Sequence, residues 1–187
     1  MIVMTGGFVI KNCDGGKKML SKKMEEELNE QINREMYSAY LYMSMSANCT
    51  NIGLSGFANW FMAQYKEEME HAMKIYDYVN DQGGKIKLMA IEEPLSMFED
   101  AMDMFQKTLK HEQFINKSIN DLVDLAIKEK DHATQIFLQW FVTEQIEEEG
   151  NDNDIIAKLK LAGDKGNGLF MIDKELGARV YTPPVDE

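Results

Sequence analysis

The sequence predicts an all-α fold: a four-helix bundle with a long connection between its second and third helices and a short fifth helix near the C-terminal end. Three observations carry this expectation. Prolines stand only at positions 94, 183 and 184, so long stretches on either side of Pro94 are free of the strongest helix breaker. Apolar residues recur at helical spacing in four long runs. Finally, 187 residues with 44% hydrophobic and 28% charged side chains make one sizeable domain with a packed core, not a disordered acidic chain.

The first helix is expected to open at Ser21 as its N-cap, pass through the acidic turn Glu25, Glu26 and Glu27, and present Leu28, Ile32, Ala39 and Met43 on one face as far as about Asn48. After the turn Asn51-Ile52-Gly53, a second helix carries Phe57, Phe61, Ala72, Ile75 and Val79 and closes at Gly83-Gly84. Residues 85–94 lack helical period and read as an extended connection long enough to travel along the bundle. A third helix, capped by Ser96, carries Phe98, Met102, Phe105, Leu109, Ile119, Val123 and Ala126. The fourth starts near His132 with Ile136, Phe137, Trp140, Phe141, Ile155 and Leu159, and Gly150 predicts a kink within it. Residues 166–177 predict a short fifth helix with Leu169, Phe170, Ile172 and Leu176 as its apolar side.

A net charge of −12 argues against nucleic acid or an anionic membrane as partner, because both are recognised through Lys and Arg. Cations are the natural guests. The sequence has no apolar run that would span a bilayer and no basic start followed by a long apolar stretch. Two cysteines, Cys13 and Cys49, make no disulfide framework. A cytoplasmic protein with free thiols is expected.

The informative feature is a set of acids on the apolar stripes. Seven-residue series read Leu28, Glu35, Tyr42, Cys49; then Phe61, Glu68, Ile75; then Phe105, Glu112, Ile119; then Phe141, Glu148, Ile155. Each long helix therefore points one glutamate inward. One inward acid is usually a side chain that snorkels to solvent. Four mid-helix coincidences call for protons, bases or cations, since an unpaired carboxylate in a dry core costs several kcal/mol. No Lys or Arg lies on these stripes nearby, and His71 follows Glu68 by three residues on the same face. Four carboxylates are neutralised by two divalent ions. Oxygen and imidazole ligands without thiolate fit iron or manganese, and zinc chemically.

Five separated motifs occur in order: Leu28-Asn29-Glu30-Gln31 with Glu35 and Tyr42, Glu67-Glu68-Met69-Glu70-His71, Lys110-His111-Glu112-Gln113, the segment from Gln139 to Gln145, and the segment from Gly168 to Leu176. On these motifs the chain resembles the bacterial non-haem ferritins from Met19 onward. It implies iron storage with ferroxidase activity: Fe(II) is oxidised to Fe(III) by O2 or H2O2 at a site within the subunit. It further implies that Glu35, Glu68 and His71 hold a first iron, and that Glu68 bridges to a second iron held by Glu112 and Glu148 with Gln145 beside it. A third, looser position would use Glu67, Glu144 and Glu147. Tyr42 would stand next to the pair, with Trp140 nearby.

The resemblance also implies a hollow shell of 24 subunits filled with ferric oxyhydroxide. Where haem-containing bacterioferritins repeat Glu-x-x-His, this chain has Gln145 and Glu148, so weaker binding of the second iron is expected. No haem is predicted, although Met69 occupies the position of the bacterioferritin axial ligand; the fifteen methionines read as core filler. His111 and His132 are read as surface residues. Residues 1–18 have no counterpart in the family pattern and read as an N-terminal extension, with Met19 as the natural start; residues 19–187 form the domain, with a tail over 178–187.

Two enzymatic relatives fit less well. A rubrerythrin-like peroxidase would need Cys-x-x-Cys pairs that the sequence lacks, and a twelve-subunit DNA-protecting ferritin would lack the fifth helix and the complete ligand set within one subunit. Outside enzymes, the alternatives are a passive divalent-metal buffer and a helical scaffold whose inward acids are protonated.

Overall fold

A computed structural model describes residues 20–163 and 166–182. Five helices form in the expected order: α1 (Lys22–Asn51), α2 (Ser55–Asp81), α3 (Ala101–Glu129), α4 (His132–Ala162) and α5 (Asn167–Leu176). The expectations for the N-terminal extension, the Met19 start and Cys13 lie outside the described residues.

Local chemistry sets most boundaries. Ser21 Oγ accepts from Met24 N at 3.0 Å, the expected cap of α1. The cap of α3 is Asp100, whose Oδ1 accepts from Asp103 N at 2.7 Å, and not Ser96. An aspartate next to the first turn also interacts with the helix dipole, and Phe98 is left before the helix, packed on the core. Asp131 caps α4 through Thr134 N at 3.0 Å. The helix continues unbroken across Gly150: Asp152, Ile155 and Ile156 on the next turn are buried and hold that segment against the bundle.

The connection between α2 and α3 runs from 82 to 100, longer than the extended stretch read from sequence. Its course is fixed by side chains of α1. Asn29 brackets Lys85 O and Lys87 N at 2.9 and 2.6 Å, Asn33 donates to Ala90 O at 3.1 Å, and Ser44 Oγ donates to Leu95 O at 2.6 Å. The chain thus climbs along α1, so α3 starts at the end where α1 finishes and runs antiparallel to it. Contacts from Met45 to Thr108, Ser38 to His111 and Gln31 to Ser118 record that direction.

The core splits into two apolar clusters. One, rich in aromatics, contains Tyr42, Phe57, Trp60, Phe61 and Phe105; the other, mostly aliphatic, contains Leu28, Ile32, Ile75, Ile119 and Leu138. The predicted stripes hold, with local exceptions: Met43, Ile136 and Phe170 face outward.

Candidate metal centre

The four seven-residue series point where the sequence placed them. Glu35, Glu68 and Glu112 are each 1% exposed and Glu148 is 6% exposed. They form a polar layer between the two apolar clusters. Ligand atoms of Glu35, Glu68 and His71 lie within 4.8 Å of one another, as do those of Glu68, Glu112 and Glu148. Glu68 belongs to both groups, which is the geometry of a bridging carboxylate. His71 Nδ1 lies 3.5 Å from Glu68 Oε2, and its ring packs against Trp140 at 5.3 Å between centroids.

Surrounding donors orient the acids. Gln31 Nε2 donates to Glu35 Oε1 at 2.8 Å, and Gln31 Oε1 in turn accepts from Ser118 Oγ at 2.7 Å and from Arg34 at 3.1 Å. Gln145 Nε2 donates to Glu112 Oε2 at 3.0 Å and to Glu148 Oε2 at 2.9 Å. The Tyr42 hydroxyl donates to Glu112 Oε1. Even so, Glu68 Oε1, Glu148 Oε1 and Gln145 Oε1 are buried with no hydrogen-bond partner. Buried oxygens without donors are the places a cation would satisfy.

Electrostatics agree. Burial pushes the carboxyls of Glu35, Glu68 and Glu112 well above the usual carboxylate range, and neighbouring acids add to the effect: Glu68 for Glu35, and Glu148 for the other two. A cluster that resists ionising alone yet offers converging oxygens is charged most readily by exchanging protons for metal.

The proposed looser position is less assembled. Glu144 joins His71 and Glu148 in a third group of close ligand atoms, whereas Glu67 and Glu147 enter none of the close groups among the described residues. Glu67 accepts from Arg179 at 2.6 Å, and Arg179 also lies over the Trp60 ring at 4.8 Å. His111 is not the surface residue read from sequence: its Nε2 lies 2.7 Å from Ser38 Oγ, its ring meets Tyr37 and Tyr42, and burial lowers its pKa to about 4. His132 is exposed and Cys49 is a buried free thiol.

Three residues of this neighbourhood receive no role in the sequence analysis. Gln31 and Asp152 are buried, each four residues from a predicted ligand, so helical spacing alone could have found them. Arg179 reaches Glu67 from beyond α5, and no local pattern signals that contact.

A family model described as a ferritin-like domain matches residues 25–162. The chain belongs to the ferritin family. This ferritin is 46% identical over 156 residues to a bacterial non-haem ferritin of Campylobacter jejuni, covering 83% of this chain and 93% of the relative. It is 41% identical over 163 residues to a bacterial non-haem ferritin of Staphylococcus aureus, covering 87% and 98%. Among solved structures, an open-pore ferritin from the archaeon Archaeoglobus fulgidus is 48% identical, covers 87% of this ferritin and 99% of its own chain, and superposes with a TM-score of 0.86. A humanized archaeal ferritin does so with a TM-score of 0.87.

Proposed function

We propose that this ferritin binds and oxidises iron at the layer formed by Glu35, Glu68, His71, Glu112 and Glu148. Iron storage with ferroxidase activity is the function of the family to which the chain belongs. The observation that carries the site assignment is the pair of buried ligand groups sharing Glu68 inside the bundle. Glu35, Glu68 and His71 take the first Fe(II); Glu68, Glu112 and Glu148 take the second.

Each ligand has a separate task. The carboxylates give up protons as Fe(II) arrives, so the incoming charge is balanced locally. Two Fe(II) each lose one electron, which together reduce O2 to H2O2, or H2O2 to two waters, with two protons consumed in either case. Gln145, whose Oε1 has no donor, turns that oxygen to the second iron, and Tyr42 holds Glu112 in place through its hydroxyl. With an amide in place of a second imidazole, the second iron is held more weakly and moves on after oxidation. Glu67, Glu144 and Glu147 form a third, transient position once Glu67 exchanges Arg179 for a cation.

Self-association into a shell of 24 subunits completes the storage reading. Membership of the ferritin family and the likeness to archaeal ferritin structures support that reading. Among the described residues no helix is long and apolar enough to cross a membrane, in keeping with a cytoplasmic particle.

Stopped-flow absorbance after mixing apo-protein with Fe(II) in air tests the proposal. Rapid formation of ferric absorbance is expected, lost in Glu68→Ala and Glu112→Ala. Oxidation no faster than in buffer would instead leave a passive metal buffer, and a monomer or dimer in solution would remove the shell.

A further inference from the structure

Asp152 is a buried carboxylate that the paired site does not use. It is 1% exposed, and its Oδ2 has no hydrogen-bond partner. The inward line of α4 runs Phe141, Gln145, Glu148, Asp152, Ile155, Leu159, so Asp152 takes a place where the spacing asks for an apolar residue. It follows Glu148 by four residues, which brings the two side chains side by side on one helix face. Glu148 also carries an oxygen without a donor, Oε1.

One helical turn from the ligand layer, the same step leads from Glu68 to Gln64 on α2, from Glu112 to Thr108 on α3 and from Glu148 to Asp152 on α4. All three are buried. A second polar layer therefore stands directly above the first. Asp152 acts electrostatically on Glu112, and Arg179 acts electrostatically on Asp152. Arg179 lines a cleft of about 420 Å³ together with Glu67, Glu147 and Asn151, the residue preceding Asp152. A cation moving from Glu148 past Asp152 would approach that cleft.

We propose that Glu148 Oε1 and Asp152 Oδ2 form an additional position for a hard divalent or trivalent cation, one turn beyond the paired site, which receives iron released from Glu112 and Glu148. The inference rests on the reading that Glu112 and Glu148 hold the second iron. Asp152 supplies the next anionic oxygen along α4, so iron passes from one carboxylate pair to another without crossing bare apolar core. Glu148, common to both positions, turns from one to the other.

Crystals of the full chain soaked anaerobically in Zn(II), a redox-inert probe, test this by anomalous scattering at the zinc edge. The expected result is density between Glu148 and Asp152 in addition to the paired positions, lost in Asp152→Asn and Asp152→Ser while the paired positions stay occupied. Filled paired positions with nothing at Asp152 overturn the inference and leave the ferroxidase reading standing. Density that persists in Asp152→Asn overturns it as well. Empty paired positions overturn both. The wild-type map decides even if neither variant folds, and calorimetric titration should give one zinc fewer per subunit in Asp152→Asn.

Discussion

Gln145 Nε2 lies 3.0 Å from Glu112 Oε2, and the same amide reaches Glu148 Oε2. A single neutral donor thereby ties two acids together in a buried layer. Replacing it by Gln145→Glu keeps the shape, removes both hydrogen bonds and adds another acid. Leaving buried acceptors unpaired costs about 1–3 kcal/mol, which for a chain of this size corresponds to several degrees in Tm. The apo-variant is expected to melt that much lower and Zn(II) to restore it beyond the wild-type gain, because the new carboxylate can serve as a ligand. Thermal melts with and without Zn(II) check this; an unchanged apo Tm would show that Gln145 does not organise the acids.

Tyr42 is fully buried, stacks on Phe61 at 6.1 Å between centroids and donates to Glu112. Tyr42→Phe preserves the ring and removes the hydroxyl. A loss of about 1 kcal/mol in apo stability is expected, with zinc stoichiometry unchanged. Single-turnover oxidation of two Fe(II) per subunit should slow severalfold, because Glu112 loses its fixed orientation and the pair loses a nearby phenol. Oxidation at the wild-type rate would reduce Tyr42 to a packing residue.

The acid layer gives apo stability a definite sign with pH. Burial raises the folded pKa of Glu35, Glu68 and Glu112 well above the ordinary value and that of Asp152 to about 8. Their contribution is fully present below the unfolded value near 4 and is lost as pH rises through the folded values, at about 1.4 kcal/mol per pH unit for each group. His111, lowered to about 4 by burial, acts oppositely: its contribution is present above about 6.5 and is lost as pH falls toward 4. One histidine is outweighed by the acids. Denaturant unfolding of the apo-protein should therefore show stability falling from pH 5 to pH 8, and Zn(II) should flatten or reverse the slope. Proton release on zinc binding, read from the buffer dependence of the calorimetric heat, is the companion measurement. A flat apo profile would mean the acids ionise freely.

Periodicity made the bundle and the ligand layer legible because helices impose a strict geometric rule: Glu35, Glu68, Glu112 and Glu148 share their seven-residue series with Leu28, Phe61, Phe105 and Phe141, and a stripe that buries one member buries all. The family motifs supplied what spacing cannot, namely the pairing of the acids across four helices. What failed depended on chain geometry beyond one helix. Ser96 and Asp100 are both good caps, and the choice between them is made by the path of the crossover pinned at Ser44. His111 is half-buried against tyrosines of α1, not by its own helix. Asp152 was hidden behind Gly150, whose helix-breaking tendency is overridden by packing of the following turn.

The attachment of α5 gives a prediction that separates assembly from chemistry. The N-terminus of α2 has no side-chain cap of its own; Asp173 from α5 fills that role, its Oδ1 accepting from Gly56 N at 2.7 Å and from Phe57 N at 3.1 Å. The approach is close enough that a Cβ on Gly56 would lie 1.6 Å from Asp173 O, and Gly177 passes on the same side. Backbone on both sides leaves no flexible side chain to yield, so Gly56→Ala should displace α5. Gly56 is three turns from Glu68, roughly 18 Å along the helix, and the ligand layer should be untouched. Asp173→Ala removes the cap without the clash and should cost about 1 kcal/mol. Size-exclusion chromatography is expected to show Gly56→Ala as smaller species in place of the shell, with zinc binding at the paired site retained. A Gly56→Ala protein that assembles and melts like the wild type would mean that α5 docks by some other route.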